Sequence, residues 1–500
     1  MHRIAKDLPV SVAAAIGRDE PPMYQQLYRR IREGIVAGEM RAGQRLPSIR
    51  VLAAQMGIAR NTVLLAYEQL LAEGCVESRQ GSGHFVADVV PTDQAVRVSE
   101  DNPERTVSQR RVYRDFEFLH PQFRTAIPVR PFRANLPSLD PEHLKAWTRL
   151  HIKVLRDAGR TNTQARLMGE TDAIGELRLR QAIADHISLS RGVRCSADQV
   201  IITAGAQHAM DILMRVLARP GDQAWIEDPC FLGSLAALQS AGVSLVPVPV
   251  DSEGLDVAEA RRRAPDASLA IVCPSKQYPL GHVMSMQRRL AVIEWANQTG
   301  AWILEDDYDS EYRFVGKPIP SLQGLDGGNR VIYVGTFSKV LFPALRIGFI
   351  VPPPELVDPI VAVRAISGRH GSAIEQQVLA RFITEGHLGR HIRRMRRLYR
   401  TRMEALLHHS KRELDGLLRV EAADSGLQTI GWLNEDVDDE VFYRAASNRG
   451  IELANLSRYC IESRRPPGVV MGFGAFSEEQ IAHSVRETAA LFGEDGKPLP

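Results

Sequence analysis

The spacing of apolar positions changes along the chain, and the changes divide it. Between Tyr24 and Ala37 they fall four residues apart, at Leu27, Ile31 and Ile35, which predicts one buried helix face closed by Gly38. Ser48 is placed to cap a second helix with Leu52, Ala53 and Met56 inward and Gly57 as its stop. A third helix runs from about Arg60 to Ala72, with Val63, Ala66, Tyr67, Leu70 and Leu71 inward. Cys75–Arg79 and His84–Ala87 then read as two strands joined across Gln80, Gly81, Ser82 and Gly83. Residues 91–130 are polar, arginine-rich and without apolar period, and read as a linker. Beyond them come short apolar runs at Val200–Thr203, Gln223–Glu227, Ser244–Val248, Leu269–Cys273, Trp302–Glu305 and Val331–Val334. Most are apolar on both faces and are separated by helix-length segments, the pattern of a parallel sheet covered on both sides. From about Pro352 a long helix leads into a smaller α+β segment, and no internal repeat is visible.

Composition narrows the classes. At 500 residues the chain exceeds one ordinary domain. With 44% hydrophobic and 24% charged residues it has the balance of a soluble globular protein. A net charge of +2 gives no overall argument for nucleic acid, so any basic patch must be local. The cysteines at 75, 195, 230, 273 and 460 lack CxxC spacing, which argues against a zinc site and against a disulfide framework. The start, MHRIAKDLPV, has no apolar core of signal-peptide length, and no run reaches the roughly 18 apolar residues a membrane span needs. The expectation is a cytoplasmic protein without a membrane partner.

Two short helices joined by a glycine turn match a helix-turn-helix. The second then carries Arg60, Asn61 and Thr62 at its N-terminus, where a recognition helix meets base edges and phosphates. A helical protein-interaction module is the alternative. The strings LPSIRVLA, RNTV, AYEQLLAEG and GSGHFV favour the first reading, because with them Tyr24–Val86 resembles the winged helix of GntR-type bacterial regulators. The resemblance implies a DNA-binding domain at 20–90 and a double-stranded DNA operator as partner. It also implies Ser48, Arg50, Arg60, Asn61, Thr62, Gly81 and Gly83 as the contact set. Ala59 stands where a capping serine is usual, a loss of about 1 kcal/mol at the helix start.

The strongest chemical signal is Lys339, within GTFSKVLFPALRIG at 335–348. It follows a buried-strand pattern, with Thr336 three positions before it and Arg346 seven after. A lysine that forms a Schiff base with pyridoxal phosphate needs this company, since the cofactor's phosphate requires a hydroxyl and a cation nearby. Four more strand ends fit the same cofactor. The turn at Gly205, Ala206 and Gln207 opens a helix and offers backbone N–H groups to a phosphate. Phe231 can stack on the pyridine ring. Gln277 can donate to its O3′ oxygen. Asp306 can keep the ring nitrogen protonated, with Tyr308 at O3′. Each piece has a bland reading as turn, core or solvated loop; their order along the chain is the specific feature. Asp306 and Asp307 could also suit a metal, but no His or Cys accompanies them, so none is expected.

From about Phe132 onward the chain resembles fold-type-I, class-I aminotransferases. EDDYDSEYR and YVGTFSKVLFPALRIG bring it nearest to the MocR subfamily, in which such a domain follows a GntR-type winged helix. The resemblance implies an effector and dimerisation domain at 131–500 with large and small lobes, and a homodimer. It also implies Lys339 as the lysine bound to pyridoxal phosphate, with Asp306, Tyr308, Thr336, Arg346, Ala206, Gln207 and Phe231 around the cofactor. The departures concern the ligand. Met168-Gly169 replaces a Tyr-Gly pair, Lys276-Gln277 a His-Gln pair, and Leu232 a second arginine found in some relatives. Gly468 or Val469 stands where an arginine usually clamps a substrate carboxylate, with Arg464 and Arg465 displaced into the loop before it. Three functions remain open. One is a regulator that senses pyridoxal phosphate itself, an amine or an amino acid. Another is a working aminotransferase with an accessory DNA-binding domain. The last is a regulator whose large domain is only a dimerisation scaffold.

Overall fold

The three N-terminal helices form where capping and apolar period agree. In the computed structural model, which describes residues 21–88, 128–140, 145–160, 164–316, 319–326 and 329–493, they are α1 (Met23–Val36), α2 (Ile49–Met56) and α3 (Arg60–Ala72). The Ser48 hydroxyl accepts from the Val51 N–H at 3.3 Å, and Gly57 ends α2 in the left-handed region at φ +64°. Ala59 gives α3 no side-chain cap. A hairpin follows, β1 (Val76–Arg79) with β2 (Gly83–Val86), in the register Val76 opposite Val86. Leu27, Ile31, Leu52, Val63, Ala66, Tyr67, Leu70 and Val86 close a core of their own. The Tyr67 hydroxyl enters it only by donating to the Pro47 carbonyl at 2.9 Å. Met56 and Leu71, expected inward, lie at its margin.

The described residues fall into two compact units, the first within Met1–Arg114 and the second within Asp115–Pro500. Apart from 128–130, the linker expected at 91–130 lies outside the described residues.

The second unit is built on an eight-stranded sheet. Its strands are β3 (Ile201–Thr203), β4 (Gln223–Asp228), β5 (Ser244–Asp251), β6 (Gly254–Leu255), β7 (Leu269–Val272), β8 (Trp302–Asp307), β9 (Val331–Thr336) and β10 (Gly348–Val351), in the order β3-β10-β9-β8-β7-β4-β5-β6. Every strand expected from the apolar runs is present. The expectation of an all-parallel sheet is corrected: β4, β5, β7, β8 and β9 are parallel, but β10 runs antiparallel between β3 and β9. The connection from β9 to β10 holds one short 3-10 turn, Pro343–Leu345, too little chain for the crossover a parallel pair needs. The reversal sets the start of β10 beside the ends of its neighbours, with Gly348 opposite both Thr203 and Thr336.

The single long helix expected after Pro352 is three: Val357–Gly368, Ala373–Thr384 and the 27-residue His387–Glu413. They lead to a smaller antiparallel sheet of β11 (Leu418–Val420), β12 (Gln428–Leu433), β13 (Ala454–Asn455) and β14 (Gly468–Gly472), in the order β11-β12-β14-β13. One buried carboxylate ties the two sheets. Asp228, at the end of β4, accepts from the backbone N–H groups of Ile461, Glu462 and Ser463 at 2.7–2.9 Å and from the Ser463 hydroxyl. Asp228→Ala would leave those donors without an acceptor. It should lower unfolding stability by roughly 2–4 kcal/mol, read as a drop in the denaturant midpoint at unchanged slope.

Candidate functional site

The register of the large sheet gathers residues from distant parts of the chain. Because Thr203, Gly348 and Thr336 lie side by side, the turn after β3, the approach to β10 and the loop after β9 share one edge. Gly205 caps the helix Ala206–Leu217 at φ +98°, a conformation that favours glycine and turns the first-turn N–H groups outward. The Arg346 guanidinium lies against it: a Cβ on Gly205 would sit 3.5 Å away. Arg346 itself is left-handed at φ +49° and makes no ion pair with any described residue. The buried Thr336 hydroxyl accepts from the Ser338 N–H at 3.2 Å. Lys339 follows, and its amine donates to the Asn135 carbonyl at 3.0 Å.

Beside this anion-ready edge stand the aromatics and the carboxylate. Gln207 donates to the Gly233 carbonyl at 3.0 Å, and Phe231 packs edge-on to Tyr278 with centroids 5.7 Å apart. Tyr278 also meets Tyr308 and Tyr459 edge-on, and its hydroxyl is 3.0 Å from the Tyr459 hydroxyl. Asp306, Tyr308, Ser338 and Gln207 each keep a buried oxygen with no partner among the described residues. Burial, with the Asp307 and Asp309 charges added, pushes the Asp306 carboxyl up to about 7. Burial and the Arg133 guanidinium pull the Lys339 amine down to about 8, against Asp309 and Asp306. Burial also holds the Tyr308 phenol protonated. Chemically this is an amine of enhanced nucleophilicity facing a carboxyl that welcomes a cation, with a phosphate-sized anion site alongside.

Not every expected residue takes the expected part. Both N–H groups of Gln277 are engaged, by the Pro229 and Tyr278 carbonyls at 2.7 Å, and its own carbonyl accepts from Leu280. Gln277 therefore holds a turn and has no N–H left for a ligand. Lys276 is buried and donates to the Ser425 carbonyl at 2.9 Å, with Asp309 at 3.5 Å. Met168 is 74% exposed. Arg464 is exposed, and Arg465 donates to the Val250 carbonyl. The sequence reading missed Asn135 and Arg133, which precede the first recognisable helix and offered no periodicity. It also missed the buried cluster in which Asp307 accepts from Arg191 at 2.7 Å and from Tyr333 at 2.6 Å. A groove of about 950 Å³ on this unit, beside His282, Leu418 and Trp432, includes none of the residues gathered around Lys339.

On the first unit, Ser48, Arg50, Arg60, Asn61, Gly81 and Gly83 are exposed and Thr62 is half-buried. Neither Arg50 nor Arg60 has an ion-pair partner among the described residues. Gly81 and Gly83 have φ of +72° and +103°, so the wing tip requires glycine. The Ser48 hydroxyl also serves as the cap of α2.

Comparison with known proteins agrees with this division. The model of the gntR family of bacterial regulatory proteins matches residues 23–86, and that of class I and II aminotransferases matches residues 134–455. The chain is 40% identical over 472 residues to "Probable rhizopine catabolism regulatory protein MocR" of Rhizobium meliloti, covering 94% of each chain. It is 30% identical to "HTH-type pyridoxine biosynthesis transcriptional regulator PdxR" of Corynebacterium glutamicum, covering 95% of this chain and 96% of that one. Among solved structures, LysN, the alpha-aminoadipate aminotransferase of Thermus thermophilus complexed with N-(5'-phosphopyridoxyl)-L-leucine, superposes with a TM-score of 0.65 at 26% identity. That match covers 72% of this chain and 91% of LysN.

The acidic end of β8 makes a prediction for the ligand-free protein. A carboxyl raised to about 7 in the folded state holds its proton there while the unfolded chain releases it near its ordinary value of 3.8. Its contribution to stability is therefore full below about 4 and is lost as pH rises through about 7. Asp306→Asn should leave unfolding stability nearly unchanged at acid pH and raise it above pH 7. Denaturant unfolding of both proteins across that range checks it.

Proposed function

Because the chain belongs to the MocR branch of the gntR family, a winged helix followed by a class I and II aminotransferase unit, we propose that it is a transcription regulator that binds operator DNA, holds pyridoxal phosphate at Lys339 and senses a small molecule there. The observation that carries the cofactor reading is the convergence of Lys339, Asp306, Tyr308, Thr336, Arg346 and the Gly205 turn on one sheet edge, with buried oxygens there awaiting partners. When bound, pyridoxal phosphate supplies an aldehyde that captures amines and a ring that accepts electrons. Lys339 would hold the aldehyde carbon, and Asp306 would pair with the ring nitrogen. Tyr308 would donate to the ring oxygen. Thr336, Arg346 and the N–H groups at Ala206 and Gln207 would hold the phosphate, with Phe231 against the ring.

The division into a DNA-binding domain at 20–90, a linker at 91–130 and an effector domain at 131–500 belongs to the same reading. So do a cytoplasmic location and a homodimer, since class-I aminotransferases complete their sites at a two-fold interface. The effector is pyridoxal phosphate itself, an amine or an amino acid. The second reading, a working aminotransferase, is favoured by the intact Lys339 and Asp306. It is weakened by β14, in which Gly468 or Val469 is the residue expected to stand where a carboxylate clamp would.

Two experiments test the proposal. Protein purified with pyridoxal phosphate should be yellow, and borohydride should fix the cofactor to Lys339. Lys339→Ala should lose the fixed adduct and the ligand-dependent change in operator affinity. A fixed adduct in that variant refutes the assignment, and rapid turnover of amino-acid and keto-acid pairs by the wild type moves the enzyme reading to first place. On DNA, Arg60→Ala should cost about 1–3 kcal/mol and relax sequence preference. Arg50→Ala should weaken all sequences alike and flatten the salt dependence, as loss of a phosphate contact does. Titrations against operator and scrambled DNA at several salt concentrations distinguish them.

A further inference from the structure

The segment ahead of the first helix of the second unit passes over the end of β14 before it reaches Lys339. Phe132 pairs antiparallel with Gly472, whose N–H donates to the Phe132 carbonyl at 2.7 Å. The Arg133 carbonyl lies so close to Gly472 that no side chain could stand there. Two residues on, the Asn135 N–H donates to Gln428 at 2.9 Å, and the Asn135 carbonyl receives the Lys339 amine. Arg133 is thus delivered between the end of β14 and the reactive lysine. Phe132 and Asn135 have φ of +64° and +59°, the left-handed region that non-glycine residues avoid. Such backbone persists where the surroundings over-determine it, and functional sites are where it clusters.

The other described cations near the site have places of their own: Arg346 lies at the Gly205 turn and Lys276 faces Asp309. Val470 of β14 packs with Tyr278, Tyr308, Tyr459 and Leu232 in an apolar and phenolic wall. Arg465 is bound to Val250, and the Arg458 guanidinium lies over the Tyr443 and Tyr459 rings, 5.6 Å from each centroid. After burial, the charge that most affects the Lys339 amine is that of Arg133, ahead of Asp309 and Asp306. Arg133 donates to the Pro128 carbonyl at 3.4 Å, and Glu452 opposes the effect of burial on it.

We propose that Arg133 receives the anionic group of the effector, so that the site selects amines carrying an oxyanion, a carboxylate or a sulfonate, although β14 has no clamp arginine. The guanidinium fork suits either group in a bidentate grip. The proposal rests on the reading that Lys339 holds pyridoxal phosphate.

The test uses the full-length protein loaded with pyridoxal phosphate and three amines with the same two-carbon spacer: β-alanine, 2-aminoethanesulfonate and 2-aminoethanol. Binding is followed by the change in cofactor absorbance. For the wild type, half-saturation by at least one of the two acids should come at a concentration at least roughly tenfold below that of the uncharged alcohol, the worth of one charge-assisted hydrogen bond. Which acid binds better identifies the oxyanion. Arg133→Ala should remove the preference and Arg133→Lys should keep part of it. In a ligand-free measurement, Arg133→Ala should also move the pH titration of the cofactor absorbance upward, because a cation beside the lysine nitrogen is gone. A yellow wild type that responds equally to all three amines, or to none, overturns this proposal alone, as does an Arg133→Ala protein that keeps the preference. A colourless wild type overturns the cofactor reading, and this proposal with it.

Discussion

Burying a run of carboxylates at the end of β8 is the constraint around which the second unit is arranged. Glu305, Asp306, Asp307 and Asp309 are all buried within five residues. A buried charge is costly unless it is paired or neutralised. Glu305 accepts from the Leu322 and Gln323 N–H groups at 3.0 Å. Asp307 is held by Arg191 and Tyr333. Asp309 faces Lys276 at 3.5 Å, which gives a physical reason for a lysine where the resemblance led one to expect histidine. Asp306, Asp307 and Asp309 each keep an oxygen without a hydrogen-bond partner, but Asp306 alone of the four has neither a hydrogen bond nor an ion pair among the described residues. Each of its neighbours is held by a hydrogen bond or an ion pair, and the one that would meet a cationic ring is not.

A second arrangement brings the small sheet into the site. Lys276 reaches Ser425 and Gln428, and Asp228 gathers the loop 461–463, so both lobes meet at the ends of β4 and β7. The Lys339 amine adds the segment at 132–135, which is itself pinned to β12 and β14. Ligand recognition and lobe contact therefore share residues. A ligand that displaces the lysine from the Asn135 carbonyl acts on a segment held by the small sheet, a direct physical route from occupancy to the arrangement of the lobes.

The legibility of the chain varied with how local the physics was. The capped helices, the glycine wing and the short strands rest on neighbours within a few residues, and all were found where periodicity placed them. Met56 and Leu71 fell at the edge of the core, because an apolar period predicts a face and not the depth of its burial. Gln277 was misassigned because a polar residue after a strand has the same appearance whether it meets a ligand or holds its own turn. Its amide went to the Pro229 and Tyr278 carbonyls.

The sequence alone determined the two-part plan, the Lys339 neighbourhood and the order of the candidate site residues, because each depends on residues adjacent to a strand end. Tertiary structure decided which of those ends lie together. The antiparallel β10 brings Arg346 to Gly205 across more than a hundred residues, and no local pattern records that register. It also decided which arginine is brought near Lys339 from the small sheet. The sequence pointed to the approach to β14, whose arginines turn elsewhere, while the chain returns Arg133 from its far side through two left-handed residues. A pairing of segments more than three hundred positions apart is fixed by packing and hydrogen bonds that exist only once both sheets have formed.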